Sequence, residues 1–452
     1  MTLMDKIVSL AKRRGFVFPG SEIYGGLAGF YDFGPLGAEL KFNIKQAWWK
    51  AVVSERDDVV GLSAAIIMNP KVWEASGHVI GFSDILVECS NCHRRFKADD
   101  FGEDKIKIQV NRIPGLSDKS YELITDFKDV VCESCGGKNT LGFPRKFNLM
   151  FKTFVGPVEG DASVAYLRPE TAGGIFVNFK NILDTMRVKV PFGIAQIGRA
   201  FRNEINPKDF IFRTREFEQM ELEYFVKPGH DDKAFRMWVD ERLAWYKRIG
   251  LNNIHLREQS TEERAHYSKA TIDIEYDFPF GRKEIEGIAN RGNFDLQAHT
   301  REGDNLSYFD EETKERFIPY VIEPSAGVER ILFALLCDAY HEEENRTVLR
   351  LAPSIAPYKV AVFPLLANKP ELVERARAIY RNLKQHFMTA WDDRGNIGKR
   401  YYSQDEIGTP FCITVDFETL EDGSVTVRDR DTMQQERVKD SELVEYLNAK
   451  IK

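Results

Sequence analysis

Residues 194–201 form an apolar run of strand length, residues 217–226 form another, and between them lies a polar stretch carrying Arg213 and Arg215. Two such runs on either side of a loop are a hairpin, and a hairpin buries its apolar face only inside an antiparallel sheet. Helical patterns at 232–249 and 327–340 follow without the strict strand–helix alternation of a parallel sheet. The expected fold class is therefore α+β, an antiparallel β-sheet flanked by helices.

With 452 residues the chain is too long for one compact core, and its patterning divides it into four regions. Residues 1–83 hold a Gly-rich entry and a helix at 38–54, with Leu40, Ile44, Ala47, Trp48 and Ala51 on one stripe. A strand is expected at 62–70, ended by Pro70. Residues 84–141 form a polar insert bounded by two cysteine pairs, and residues 142–350 carry the hairpin. Residues 351–452 open on a proline-marked linker and read as a small α/β domain. Its strands are expected at 359–363, 411–416 and 424–428, with helices at 370–387 and at the chain end. Asp422-Gly423 reads as a type I′ turn between the last two strands.

Hydrophobic residues make up 43% and charged residues 29%, and no apolar run is long enough to cross a bilayer. The first residues mix charge with apolar positions and do not read as a signal peptide, so a cytoplasmic place is expected. A net charge of −7 argues against coating nucleic acid non-specifically, and leaves open a local basic surface for one folded RNA.

On the hairpin, side-chain alternation groups Arg202 with Glu204, and Phe217 with Gln219, Glu221 and Glu223. A guanidinium suits a phosphate and a ring can stack on a base, so this face could hold a nucleotide. Taken alone, it reads sooner as a solvated hairpin with surface ion pairs. Pro324-Ser325-Ala326-Gly327-Val328-Glu329-Arg330 leads into the apolar helix, putting Arg330 in a first turn, where anions are favoured. A plain helix start with a surface arginine is the other reading.

The helix and strand ending at Pro70, Phe201 to Glu204 with its return strand, and Gly327 to Arg330, in that order, resemble the three signature motifs of class II aminoacyl-tRNA synthetases. Arg168-Pro169-Glu170-Thr171-Ala172, Phe212-Arg213-Thr214-Arg215-Glu216-Phe217, Glu284-Ile285-Glu286-Gly287-Ile288-Ala289-Asn290-Arg291 and Glu323-Pro324-Ser325-Ala326-Gly327 narrow the resemblance to the dimeric glycyl-tRNA synthetases. It covers nearly the whole chain, with one departure: Gly173 stands where glutamine is expected. A class II synthetase for threonine, proline or histidine is the rival within the class, and the Arg168 and Glu323 motifs weigh against it. A non-catalytic nucleic-acid-binding relative would not be expected to keep Arg202, Glu204 and Arg330 together.

The resemblance implies a class II catalytic domain followed by an α/β anticodon-binding domain, and an enzyme that activates glycine with ATP and passes it to tRNA(Gly). The implied partners are glycine, ATP with Mg²⁺, tRNA and a second copy of the chain in a homodimer, with no membrane. Arg202 and Arg330 are the implied catalytic residues. The ATP site would further take Asn203, Glu204, Phe212, Arg213, Thr214, Arg215, Glu216, Phe217, Glu284, Ile285, Gly327, Val328 and Glu329. Phe217 would stack on adenine with Arg330 on the other face, and Glu284, with Glu323, would bind the magnesium. The glycine site would take Arg95, Glu170, Phe217, Glu218, Gln219, Met220, Glu221, Arg291, Glu323, Pro324, Ser325, Ala326 and Gly327.

Of six cysteines, four fall in the pairs Cys89-x-x-Cys92 and Cys132-x-x-Cys135, the pair spacing of a tetrahedral Cys₄ zinc site. Structural zinc is expected; four reduced thiols or redox pairs remain alternatives, and His93 could compete as a ligand. Cys337 and Cys412, in apolar runs, read as core residues.

Overall fold

The computed structural model describes residues 1–451 apart from 102–105, 113–120, 128–129, 159, 161–162, 262, 266–267 and 303–304. At its centre is a seven-stranded sheet in the order Ile254–Glu258, Ala270–Phe278, Gly281–Gly292, Tyr320–Gly327, Glu216–Val226, Phe192–Phe201, Val59–Gly61. Every neighbouring pair is antiparallel except the last, where Val59–Gly61 runs parallel to Phe192–Phe201. The hairpin pairs residue for residue from Phe192↔Phe225 to Phe201↔Glu216.

Alternation along Glu216–Val226 serves two cores. Met220, Leu222, Tyr224 and Val226 join the main apolar cluster, with Leu40, Ile44 and Trp48 from the helix Pro35–Trp49 and with the helix Val328–Ala339. Phe225 turns the other way, against Phe176 and Phe179 of the helix Ala172–Met186. Between these layers, on the second face, the strand carries the polar side chains Gln219, Glu221 and Glu223, all buried.

The expected strand at 62–70 is only the short Val59–Gly61; beyond it the chain leaves the sheet. Arg168 is the reason. Its guanidinium lies across the end of the sheet, donating to Arg199 O (2.6 Å) and Ala64 O (2.9 Å), where a continued ladder would run. Gly198 permits this, since a Cβ there would stand 2.1 Å from Arg168 Nη2.

The insert builds a small sheet from Ser83–Glu88, Arg95–Lys97 and Arg145–Asn148, with a separate hairpin of Ile106–Arg112 and Tyr121–Phe127. The last region has a five-stranded sheet in the order Thr389–Trp391, Val360–Pro364, Phe411–Val415, Ser424–Asp429, Gln435–Lys439, with its own apolar core. Asp422-Gly423 is not a two-residue turn. A capping box of Asp416 and Thr419 starts the short helix Phe417–Asp422, and Gly423, at φ 71°, ends it. Glycine tolerates that left-handed conformation without strain. Among the described residues, no helix is long and apolar enough to cross a membrane.

Candidate active site

A cleft of about 490 Å³ opens on the polar face of the sheet, where the hairpin loop, the strand Tyr320–Gly327 and the start of the following helix meet. Arg202, Glu204, Phe212, Arg213, Thr214 and Phe217 line one side of it. Glu284, Gly327, Glu329 and Arg330 line the other. Arg202 and Glu204 stand in the loop just past the strand end rather than on the strand. Arg202 Nε donates to Pro169 O (3.0 Å), and its guanidinium lies 5.3 Å from the Phe217 ring and 5.4 Å from that of Phe82. Two rings backing one guanidinium fix its plane and exclude water from around the charge. Arg330 lies 4.5 Å from the Phe212 ring and donates to Phe212 O and Glu284 O. The ring of Phe217 and the Arg330 guanidinium thus face the cleft from different walls.

Five residues expected at the nucleotide do not line the cleft. Ile285 and Val328 are core residues, 1% and 0% exposed. Glu216 turns to the other sheet face and pairs with Arg199. Asn203 donates its backbone N–H to Leu149 O (2.7 Å), and Arg215 fastens the loop by donating to Glu204 O (2.8 Å) and Ala28 O (2.8 Å).

Alternation divides the glycine residues in the same way. Gln219, Glu323, Ser325 and Ala326 line the cleft, and behind them Glu221 and Arg291 are buried, bonded to Ser325 and Glu323, with Glu170 beside Glu221. Met220 belongs to the main core, and Pro324 is in register with Ile288 of that core. Glu218 points to the back of the sheet, held by Lys41 (2.7 Å) and Lys45 (2.8 Å). Lys41 also reaches Glu329 (2.5 Å), whose other oxygen accepts from Glu218 N, so the helix Pro35–Trp49 is wired to the cleft from behind. Arg95 is exposed and paired with Glu88 (2.9 Å); two residues on, Lys97 reaches the cleft, paired with Asp84 (2.9 Å).

The floor is a pit of carboxylates. Glu221 accepts hydrogen bonds from Thr171 and from Ser325 Oγ (2.7 Å). Arg291 clamps Asp295 with two bonds of 2.7 Å and donates a third, also 2.7 Å, to Glu323. Glu170 faces His78 Nε2 at 3.3 Å, and Ser76 Oγ holds the opposite ring nitrogen at 2.7 Å. Burial alone would push the Glu170 carboxyl up, but His78, Arg291 and Arg202 outweigh it and hold it well below the usual carboxylate range. Glu221 goes the other way, raised by burial and by the charge of Glu170. The sequence pattern put Glu223 on this face without giving it a role, and it missed His78. A Cβ on Gly173, where glutamine was expected, would lie 3.0 Å from the buried Trp73 ring, which fills that space.

Glu284 and Asp273 flank one point of the cleft, at 3.8 and 3.9 Å from a Cβ built on Gly287. Glu323, the other acid expected at the magnesium, lines the same cleft and accepts from Arg291 at 2.7 Å. Burial raises the Asp273 carboxyl to about 6.

In the insert, Cys89 Sγ lies 3.7 Å from Cys135 Sγ and Cys92 Sγ 3.7 Å from Cys132 Sγ, with all four sulfurs within 4.8 Å of one another. A tetrahedron with Zn–S bonds of about 2.3 Å has edges of roughly 3.8 Å, so this donor set fits zinc. His93 is outside it, with its ring exposed beside Glu88. Cys337 and Cys412 are buried.

A family model described as the tRNA synthetase class II core domain (G, H, P, S and T) matches residues 158–339, and one described as an anticodon binding domain matches residues 359–450. The glycine–tRNA ligase of Alkaliphilus oremlandii is 52% identical over 99% of this chain and 98% of its own length. That of Geobacillus thermodenitrificans is 54% identical over 99% of this chain and 97% of its own. Among solved structures, prolyl-tRNA synthetase from Cryptosporidium parvum, complexed with halofuginone and AMPPNP, aligns with a TM-score of 0.66 at 15% identity, covering 99% of this chain and 76% of that one. At that identity the likeness is one of fold.

Proposed function

The chain belongs to the glycine–tRNA ligases, which charge tRNA with glycine on a class II synthetase core, and from that membership we propose how its residues divide the work. The observation that carries the assignment of roles is the layering of the cleft: arginines and aromatic rings at the mouth, buried carboxylates with one clamped arginine at the floor. A nucleotide suits the first layer. A small zwitterion suits the passage between the two.

ATP lies at the mouth, its adenine against Phe217 and its phosphates toward Arg202, Arg213 and Arg330. Glu284 holds the magnesium, which screens the phosphate charge. Glycine places its ammonium group at Glu170, beside Glu221 and Glu323, and its carboxylate toward Arg202. One carboxylate oxygen then attacks the α-phosphorus; that O–P bond forms as the P–O bond to pyrophosphate breaks, giving glycyl-adenylate. The terminal ribose hydroxyl of tRNA attacks the glycyl carbonyl, and AMP leaves. No protein nucleophile is needed: positioning and charge neutralisation supply the rate.

Selection against alanine requires that the space beside the α-carbon be filled, since an apolar pocket would favour the extra methyl. Ser325, fixed by its bond to Glu221, stands at the floor to do this. In amino-acid-dependent pyrophosphate exchange, glycine alone of the twenty amino acids is expected to support the reaction. Glu170→Ala should raise the glycine KM with the ATP KM little changed, and Ser325→Gly should admit some alanine. Exchange driven by another amino acid in the unaltered enzyme would overturn the reading.

The four cysteines hold a structural zinc ion that staples the insert. Metal analysis should find about one zinc per chain, lost when Cys89 and Cys132 become serine; full activity in a metal-free preparation would remove that role. The region from residue 351 onward binds the anticodon. Exposed Ile23, Tyr24, Leu27 and Phe42, on and near the helix Pro35–Trp49, support pairing of two copies in a homodimer, and a cytoplasmic place accords with work on tRNA.

A further inference from the structure

Glu223 is the residue of the pit that the proposed reaction does not use. It is 0% exposed, and neither of its carboxylate oxygens has a hydrogen-bond partner. One oxygen of each of Glu221, Glu223 and Glu323 lies within 4.8 Å of the others. Every other acid here has a donor. Asp295 has the two bonds from Arg291, Glu323 has the third, Glu221 has two hydroxyls, and Glu170 has His78.

The surroundings of Glu223 supply no cation of its own. Its own strand presents Glu221, and Tyr320–Gly327 presents Glu323. Gly281–Gly292 brings Arg291, already committed to Asp295 and Glu323, and the helix Phe294–Glu302 brings Asp295. His299 of that helix is buried, and burial disfavours its charged form. On the neighbouring strand Ile194 is its register partner. A bare carboxylate buried among like charges without donors costs several kcal/mol, and such a group takes up a proton instead.

We propose that Glu223 is a positioning residue of the glycine site: in the free enzyme its carboxyl holds a proton, and it releases that proton to solvent when the ammonium group of glycine enters the pit. The proton and the ammonium are thus alternative counter-charges for one pit. The proton leaves the Glu223 carboxyl for a buffer base, and the resulting carboxylate, now balanced by the ammonium charge, keeps Glu323 turned toward the substrate. Burial and the charge of Glu323 push the Glu223 carboxyl well above the usual carboxylate range, and burial raises Glu323 likewise, to about 8, in keeping with an acid form at neutral pH. The inference rests on the glycine site being where the preceding section places it.

Titration calorimetry of glycine into the enzyme, in buffers of different ionisation enthalpy near neutral pH, counts the protons. About one released per glycine is expected. In pyrophosphate exchange the glycine KM should rise about tenfold for each unit that pH falls through this window, with no parallel change in the ATP KM. Glu223→Gln should bring the proton count close to zero and flatten the slope, because a neutral amide has no proton to release. Glycine binding without proton release, together with a flat glycine KM in the unaltered enzyme, overturns the proposal even if the variant fails to fold. Full proton release by Glu223→Gln also overturns it, by placing the proton elsewhere. Failure of glycine to bind at all would instead strike the glycine-site assignment.

Discussion

Arg202→Ala is expected to leave the protein folded and to slow glycyl-adenylate formation by a hundredfold or more, about 3 kcal/mol of lost transition-state stabilisation. The residue lies in a loop past the sheet edge, and its side-chain hydrogen bond to Pro169 O is worth only about 1 kcal/mol to the fold. Its value is in the mounting. Held between the Phe82 and Phe217 rings, the guanidinium needs no reorganisation when charge builds on the α-phosphate. Lysine would restore the charge and lose both the planar packing and the two-pronged contact, so Arg202→Lys should recover only part of the rate. The measurement is pyrophosphate exchange at saturating glycine, with a thermal melt as control. Near-normal exchange in a folded Arg202→Ala protein would free this residue from the chemistry. Arg330→Ala is a less direct test, because that guanidinium also ties Phe212 O to Glu284 O.

The largest effect on stability is expected at Asp405. Its carboxylate is fully buried and takes bonds from Arg346 (2.7 Å) and from Arg428 (2.8 and 2.9 Å), whose side chains are 2% and 4% exposed. Removing the acid leaves two guanidinium groups face to face in a dry junction, a loss of about 3 to 5 kcal/mol. Glu343, on Arg346, can offset only part of it. Asp405→Ala should therefore lower the thermal midpoint by more than about 5 °C, with Asp405→Asn between the two. An unchanged midpoint would mean that water reaches the junction. Arg346 belongs to the end of the catalytic region and Asp405 to the anticodon-binding one, with Arg14 also reaching Ser403 O across the same boundary (2.6 Å). Stopping the chain near residue 352, which the linker invites, strands Arg346 without its acid.

The hairpin, the helix 327–340 and the cysteine pairs were legible because period and spacing report them directly. The strand at 62–70 was not, because a long-range contact from Arg168 displaces the chain there. The short strand Thr389–Trp391 and the helix Ile397–Asp405 went unread for a related reason: three residues are too few for a pattern, and the helix's buried side chains include Arg400, Gln404 and Asp405, which look solvent-facing in a sequence. Motif resemblance delivered whole segments to the site, such as 216–221. The strand period then sorts them, sending Glu218 and Met220 away from the cleft and keeping Phe217, Gln219 and Glu221.

The two-sided strand Glu216–Val226 has a consequence for how this gene can change. Insertions in the loop before it move only surface, but one residue added or lost within it would turn Glu221 and Glu223 into the apolar cluster and Met220 and Leu222 into the pit. Both faces would fail at once. Length variation among viable descendants should therefore gather outside this strand, while single substitutions on either face remain open to selection one at a time.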